Sequence, residues 1–202
     1  LFLGCTIPAR QNNYDASARR VSEALGIELR DIEGAGCCGP TFVRSLDYES
    51  YLAMAARNIA LAEKMGLNIL TLCTGCYSSL AEARLTLVED PQLRDRVNEL
   101  IGDTGPKFEG RTEIKHFSNV LYHEIGLDRI RSMVKKPLKG LKVAVHYGCH
   151  LIRPSEVTGV ANPENPTFLD ELVEATGAES VYWPLKLWCC GAPTLAVDED
   201  LS

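Results

Sequence analysis

The chain lacks an excess of basic residues and a long apolar run. Over 202 residues its formal net charge is −6, which argues against a nucleic-acid partner, because such partners ask for clustered Lys and Arg. No apolar run reaches the length of a membrane span, and the first residues do not follow the basic-then-apolar order of a secretory signal. The cytoplasm is therefore the expected compartment. A ferredoxin-type C-x-x-C-x-x-C run is also missing, and no flavin site is read from the glycines. The sequence opens LFLGC without an initiator Met and stops at DEDLS, just behind a cysteine motif. The expectation is that both ends are cut short, the C-terminal one seriously.

What the chain does have is 8 cysteines. Small secreted disulfide scaffolds are shorter and richer in loops, so metal or redox chemistry is the preferred reading. Two of the cysteine segments are alike. GAGCCGP sets Cys37 beside Cys38, and WCCGAP sets Cys189 beside Cys190. Adjacent cysteines seldom bond each other, because disulfide geometry does not suit them. They also chelate one tetrahedral ion poorly, yet they reach two different metal atoms of a cluster with ease. The first set is Cys5, Cys37, Cys38, Cys73 and Cys76, the last two in the C-x-x-C turn CTGC. Zinc takes four ligands, and so does a conventional 4Fe–4S cube. A set of five leaves either one bystander or a centre with more ligand positions than a cube. Iron–sulfur is favoured over a zinc-stabilised scaffold on this ground.

Apolar periodicity gives an α/β reading. Leu1–Gly4, Ile27–Ile32 and residues 68–72 read as strands, each leading into cysteines. Helices are expected over Asn13–Leu25, Tyr48–Met65 with Gly66 as its stop, Ser78–Val88 and Phe117–Val134. Strands alternating with amphipathic helices imply parallel pairing, and functional groups then gather beyond the carboxyl ends of the strands. The basic run 129–142 reads as a solvated helix end and linker.

The opening pattern then repeats. LKVAVHYGCHLIRP echoes LFLGCTIPAR, ELVEATGAES echoes RVSEALGIEL, and WCCGAP echoes GCCGP. The expected organisation is two pseudo-symmetric domains, 1–135 and 136–202, each a small, mainly parallel sheet with flanking helices and a cluster at its strand ends. Cys149, Cys189 and Cys190 form the second cysteine set, without its C-x-x-C pair. Pro40 and Pro193 shape the turns after the paired cysteines, His146 reads as structural, and Trp183 and Trp188 read as packing residues.

The order Cys, then Cys-Cys-Gly, then Cys-x-x-Cys resembles the CCG domain. FLGCTIPAR, AARNIALAEKMGL, LTLCTGCYSSLAEA and VAVHYGCH with the second CCG together resemble the B-type polypeptide of heterodisulfide reductase. The resemblance implies two non-cubane 4Fe–4S clusters. Cys5, Cys37, Cys38, Cys73 and Cys76 would bind the first, and Cys149, Cys189 and Cys190 part of the second. It implies reduction of the mixed disulfide of coenzyme M and coenzyme B (CoM-S-S-CoB) to two thiols, by homolytic cleavage at the paired clusters. His150, beside Cys149, is a candidate proton donor, with a role behind the cluster ligands as the blander reading. The anionic coenzymes call for cations, and Arg10, Arg153 and Lys186 are the candidates. Electrons would come from a small iron–sulfur subunit and a flavin-containing subunit, with a hydrogenase or formate dehydrogenase behind them. The competing reading is a CCG-type electron-transfer subunit of a glycolate-oxidase-like or quinone-linked complex.

Overall fold

The computed structural model describes residues 1–160, 162–192, 194 and 198–200. Pro193 lies outside the described residues. Packing divides the chain into two units, one of Leu1–Glu23 with Ile27–His116, the other of Ala24–Gly26 with Phe117–Ser202. This division follows side-chain and backbone packing, whereas the boundary at 135/136 follows the cysteine repeat.

The first unit runs α1 (Thr6–Arg10), α2 (Asn12–Leu25), α3 (Thr41–Leu46), α4 (Tyr48–Met65), β1 (Ile69–Thr71), α5 (Thr74–Glu89), α6 (Pro91–Ile101) and β2 (Ile114–His116). Helix α4 is its axis. Asp47 caps it by accepting from Ser50 N, and Gly66 ends it in the left-handed conformation, as Asp and Gly do at these positions. Leu52, Ala55, Ala56, Ile59 and Ala62 are buried at the helical spacing read from sequence. They pack with Leu80, Ala83 and Leu87 of α5 and Val97 and Ile101 of α6 in one apolar cluster. Small alanines along α4 let neighbouring segments approach its backbone closely.

The mixed α/β class with parallel pairing holds, but the sheets are small. β1 pairs with β2 in parallel, Ile69 opposite Ile114 and Thr71 opposite His116. Two expected strands are corrected. Leu1–Gly4 contributes one parallel bridge, Phe2 to Thr71, before Gly4 turns the chain at φ +64°. Ile27–Ile32 is irregular. Its Arg30 carbonyl accepts from Leu1 N, a single contact rather than a strand ladder.

The second unit contains α7 (Phe117–Asn119), a wide π turn over Val120–Ile125, α8 (Leu127–Met133), β3 (Lys142–Val143), α9 (Cys149–Ile152), α10 (Ser155–Thr158), α11 (Phe168–Ala175) and β4 (Glu179–Ser180). The single helix expected over Phe117–Val134 is broken at Gly126, whose φ of 82° and ψ of 150° no helix accommodates. β3 pairs in parallel with β4, Lys142 opposite Glu179. Val145 and Tyr147 are buried and His146 between them is exposed, the alternation of an extended segment.

Candidate metal centre

Three segments of the first unit carry its five cysteines, and each is placed by a different local device. Cys5 caps the start of α1, immediately after Gly4. A Cβ on Gly4 would stand 2.7 Å from the Cys76 Sγ, so the glycine lets the backbone before Cys5 lie against that sulfur. Cys73 caps α5 in an extended conformation, and Cys76 sits in the first turn of the same helix.

The Cys37–Cys38 turn is held from α4 and α5. Gly36 N donates to Asn58 Oδ1 at 2.8 Å, and Asn58 Nδ2 donates to the Cys37 carbonyl at 2.9 Å. Ser79 Oγ donates to the Gly39 carbonyl at 3.1 Å. Gly39 has φ +85°, and a Cβ there would meet the Tyr51 ring at 2.8 Å. The literal string GAGCCG, residues 34–39, spells G-x-G-x-x-G. It follows an irregular segment and is separated from α3 by Pro40, so the strand–turn–helix context of a dinucleotide site is missing.

The sulfurs of this set interact. The Cys76 thiol faces both Cys38 and Cys73, and it is pushed up by its interactions with them and by burial. Cys73 is pulled down to about 6, first by the bond from Cys76, against burial, and then by the Cys76 and Gly75 amides. Cys38 is lowered by the Cys76 bond, which outweighs burial, with Ser79 adding to it. Cys37 is raised, chiefly by burial, and lies beside Cys5. Five thiols from three remote segments thus form one neighbourhood. Among the described residues, no three His, Cys, Asp or Glu side chains stand ready to grip a single ion. The donor set itself, thiols pairing across segments with amides pointing at Cys73, suits an iron–sulfur cluster.

In the second unit, Cys149 begins α9 behind Gly148, at φ +72°. Its thiol is raised by burial first and then by Cys189 beside it, with Cys190 also near. Cys189 and Cys190 are exposed. The segment before them is tied to residues 145–147: Trp183 Nε1 donates to the Val145 carbonyl at 2.6 Å, Tyr147 N donates to the Lys186 carbonyl at 3.2 Å, and His146 Nε2 lies 3.0 Å from the Trp188 carbonyl. Trp183 fits the packing expectation in part, whereas Trp188 is exposed at 66%.

His150 lies half-buried in α9. Arg10 ends α1 and is exposed. Arg153 Nη2 pairs with Glu164 at 2.9 Å, and Lys186 Nζ pairs with Asp170 at 2.8 Å. Asn58, Tyr51 and Ser79 are not singled out by sequence. The available signal is a polar residue, Asn58, on the buried face of α4.

Comparison with known proteins places these observations in a family setting. The model of the CCG cysteine-rich domain matches residues 1–81 and 143–201. The B-type polypeptide of the ferredoxin/F420H2-dependent CoB-CoM heterodisulfide reductase of Methanosarcina acetivorans is 43% identical over 193 residues, 95% of this chain and 64% of that protein. The 8-methylmenaquinol:fumarate reductase membrane anchor subunit of Wolinella succinogenes is 37% identical over 190 residues, 94% of this chain and 66% of that protein. The chain thus spans about two thirds of the length of these relatives. A crystal structure of a hypothetical protein from Helicobacter pylori shares the fold, with a TM-score of 0.72 at 16% identity over 99% of this chain and 36% of that one. Among the described residues, no helix is long and apolar enough to cross a membrane.

Proposed function

The chain belongs to the CCG family of cysteine-rich domains, and from that premise we propose that it is the disulfide-reducing subunit of a heterodisulfide reductase. The substrate is the mixed disulfide of coenzyme M and coenzyme B, and the products are two thiols. The observation that carries this reading is the meeting of Cys5, Cys37, Cys38, Cys73 and Cys76 in one neighbourhood. These five would hold a non-cubane 4Fe–4S cluster, and Cys149, Cys189 and Cys190 would supply part of a second. Such clusters, when bound, supply single electrons and an iron that accepts sulfur.

The chain's own residues have three tasks. The cysteines fix the metal, with Cys73 already inclined to the thiolate form that ligation needs. Arg10 and Arg153 attract the anionic coenzymes, following Cys5 and Cys149 at similar spacing. Arg153 and Lys186 have smaller shares than Arg10, since Glu164 and Asp170 already match their charges. His150 holds a proton beside Cys149 for delivery to a departing thiolate. Electrons enter from a small iron–sulfur subunit and a flavin-containing subunit, with a hydrogenase or formate dehydrogenase upstream.

The similarity to a menaquinol:fumarate reductase subunit favours one second reading, a quinone-linked electron-transfer subunit. Low-temperature EPR of the anaerobic full-length protein, with iron and zinc analysis and a coenzyme M titration, separates the two. A paramagnetic signal that appears or shifts with the thiol is expected. Iron with no response to thiol supports the electron-transfer reading, and a silent, zinc-loaded protein overturns both.

A further inference from the structure

Asn58 is a buried polar residue of α4. Leu52, Ala55, Ile59 and Ala62 line the same helix, and Asn58 is only 1% exposed. A buried amide is tolerated when its donors and acceptor find partners. Those partners are all backbone. Nδ2 donates to Met54 O, one turn back in the helix, at 2.9 Å, which fixes the side chain. Its other two bonds leave the helix and close on the loop, at Gly36 N and Cys37 O.

The Cys37 carbonyl belongs to the peptide plane that joins Cys37 to Cys38. That plane is rigid, so holding it constrains ψ of Cys37 and φ of Cys38 together. Those two angles decide how far neighbouring side chains diverge. They do diverge: Cys37 lies beside Cys5, whereas Cys38 meets Cys76 and Ser79. We propose that Asn58 is a positioning residue that fixes the Cys37–Cys38 peptide plane, so that adjacent thiols reach different metal atoms of one cluster. The inference rests on the reading of these cysteines as an iron–sulfur site.

The test compares full-length, cluster-loaded wild type with N58D and E63Q. N58D keeps the shape and the bond from Gly36 N, but sets a carboxylate oxygen against the Cys37 and Met54 carbonyls. It is expected to change the EPR g-values or midpoint potential and to release iron to a chelator about 10–100-fold more readily, the usual effect of removing a residue behind a metal ligand. E63Q weakens a different buried contact of α4, since Glu63 accepts from Glu109 N at 2.9 Å and Arg111 N at 2.6 Å. It should lower the melting temperature and leave the spectrum alone, which calibrates plain destabilisation. N58S, too short to reach both loop partners, supplies the same comparison if N58D does not fold. An N58 variant that melts lower yet keeps the wild-type spectrum, potential and iron release overturns this proposal alone. A wild type without iron overturns it together with the reading on which it rests.

Discussion

The two cysteine sets use the same backbone devices in different surroundings. In each, a glycine of positive φ precedes the first cysteine (Gly4 at +64°, Gly148 at +72°), and the cysteine then opens a short helix. In each, another such glycine follows the paired cysteines (Gly39 at +85°, Gly191 at +77°). What holds these shapes differs. The first pair is gripped by Asn58 and packed on Tyr51, and Cys38 is buried. The second pair is exposed, and the segment before it hangs from residues 145–147 through an indole N–H and backbone bonds. Glycines and cysteines therefore set the local geometry of a ligand segment, while its rigidity comes from whatever packs behind it.

The largest break in this comparison comes from the thiols themselves. Cys76→Ser removes the group that bridges Cys38 and Cys73, and iron analysis with EPR should show the first cluster lost. Cys149→Ser should leave that first signal in place. Equal loss from both variants would mean that the two sets do not act as separate centres. Next in size is Gly39→Ala. Positive φ costs a residue with a Cβ about 1–2 kcal/mol, and overpacking against Tyr51 adds about 1–3 kcal/mol. Gly26→Ala has similar φ, +80°, and open space around the new Cβ, so only the smaller cost is expected. Denaturant titration of the two variants measures the difference. If they are equally destabilised, contact with Tyr51 is not what the glycine protects.

The unevenness between the two sets also marks what was legible in the sequence. The cysteine segments, the bounds of α4 and its buried face could be read directly, because Gly66 and the apolar spacing are local signals. The strands were read less well. Sheets of two and three residues are decided by backbone pairing with distant segments, and apolar runs such as Ile27–Ile32 carry no record of whether a neighbour is there. The groups that hold the ligand segments were invisible for the same reason. Asn58 on a buried face announces that a partner exists, but not that the partner is a loop more than a helix turn away in sequence. His116, 5% exposed, read as part of an unremarked stretch until β2 set it opposite Thr71 and its ring against Tyr77, with centroids 5.8 Å apart.

That histidine sharpens the comparison through pH. Burial pulls His116 down to about 4, although its bond to the Leu72 backbone works the other way. In the unfolded chain its value is about 6.5. Between these two values the unfolded state binds more protons, so stability rises with pH there. The contribution is complete above about pH 6.5 and is lost as pH falls toward 4, an effect of roughly 3 kcal/mol at full span. Hydrogen exchange resolved by peptide should show the first unit loosening through this window. His116→Asn should flatten that dependence, and an unchanged slope in the variant would assign the acid sensitivity to other groups.

The second unit should respond later and less. Asp170 is partly buried, which alone would raise its pKa. The bonds from Lys186, Ser180 and Tyr147 outweigh that and hold it below the ordinary carboxylate value. Tyr147 OH and Ser180 Oγ each donate to it at 2.7 Å. A depressed carboxylate stabilises the fold above its unfolded value, about 3.9, and loses that contribution only as pH falls through the lower folded value. Peptides of the second unit should therefore stay protected across the window in which the first unit loosens. Asp170→Asn keeps an acceptor for one of the two hydroxyls, turns an NH2 toward the other, and removes the charge facing Lys186. Because water still reaches this partly exposed pair, the expected loss at neutral pH is about 1 kcal/mol, read as faster exchange in residues 145–147 and 183–188. Lys186 then becomes a free cation three residues before Cys189. Tighter binding of an anionic thiol by Asp170→Asn would bring Lys186 forward as an anion-binding residue. Weaker binding would mean that the Asp170–Lys186–Tyr147 contacts serve the second cysteine segment as Asn58 serves the first.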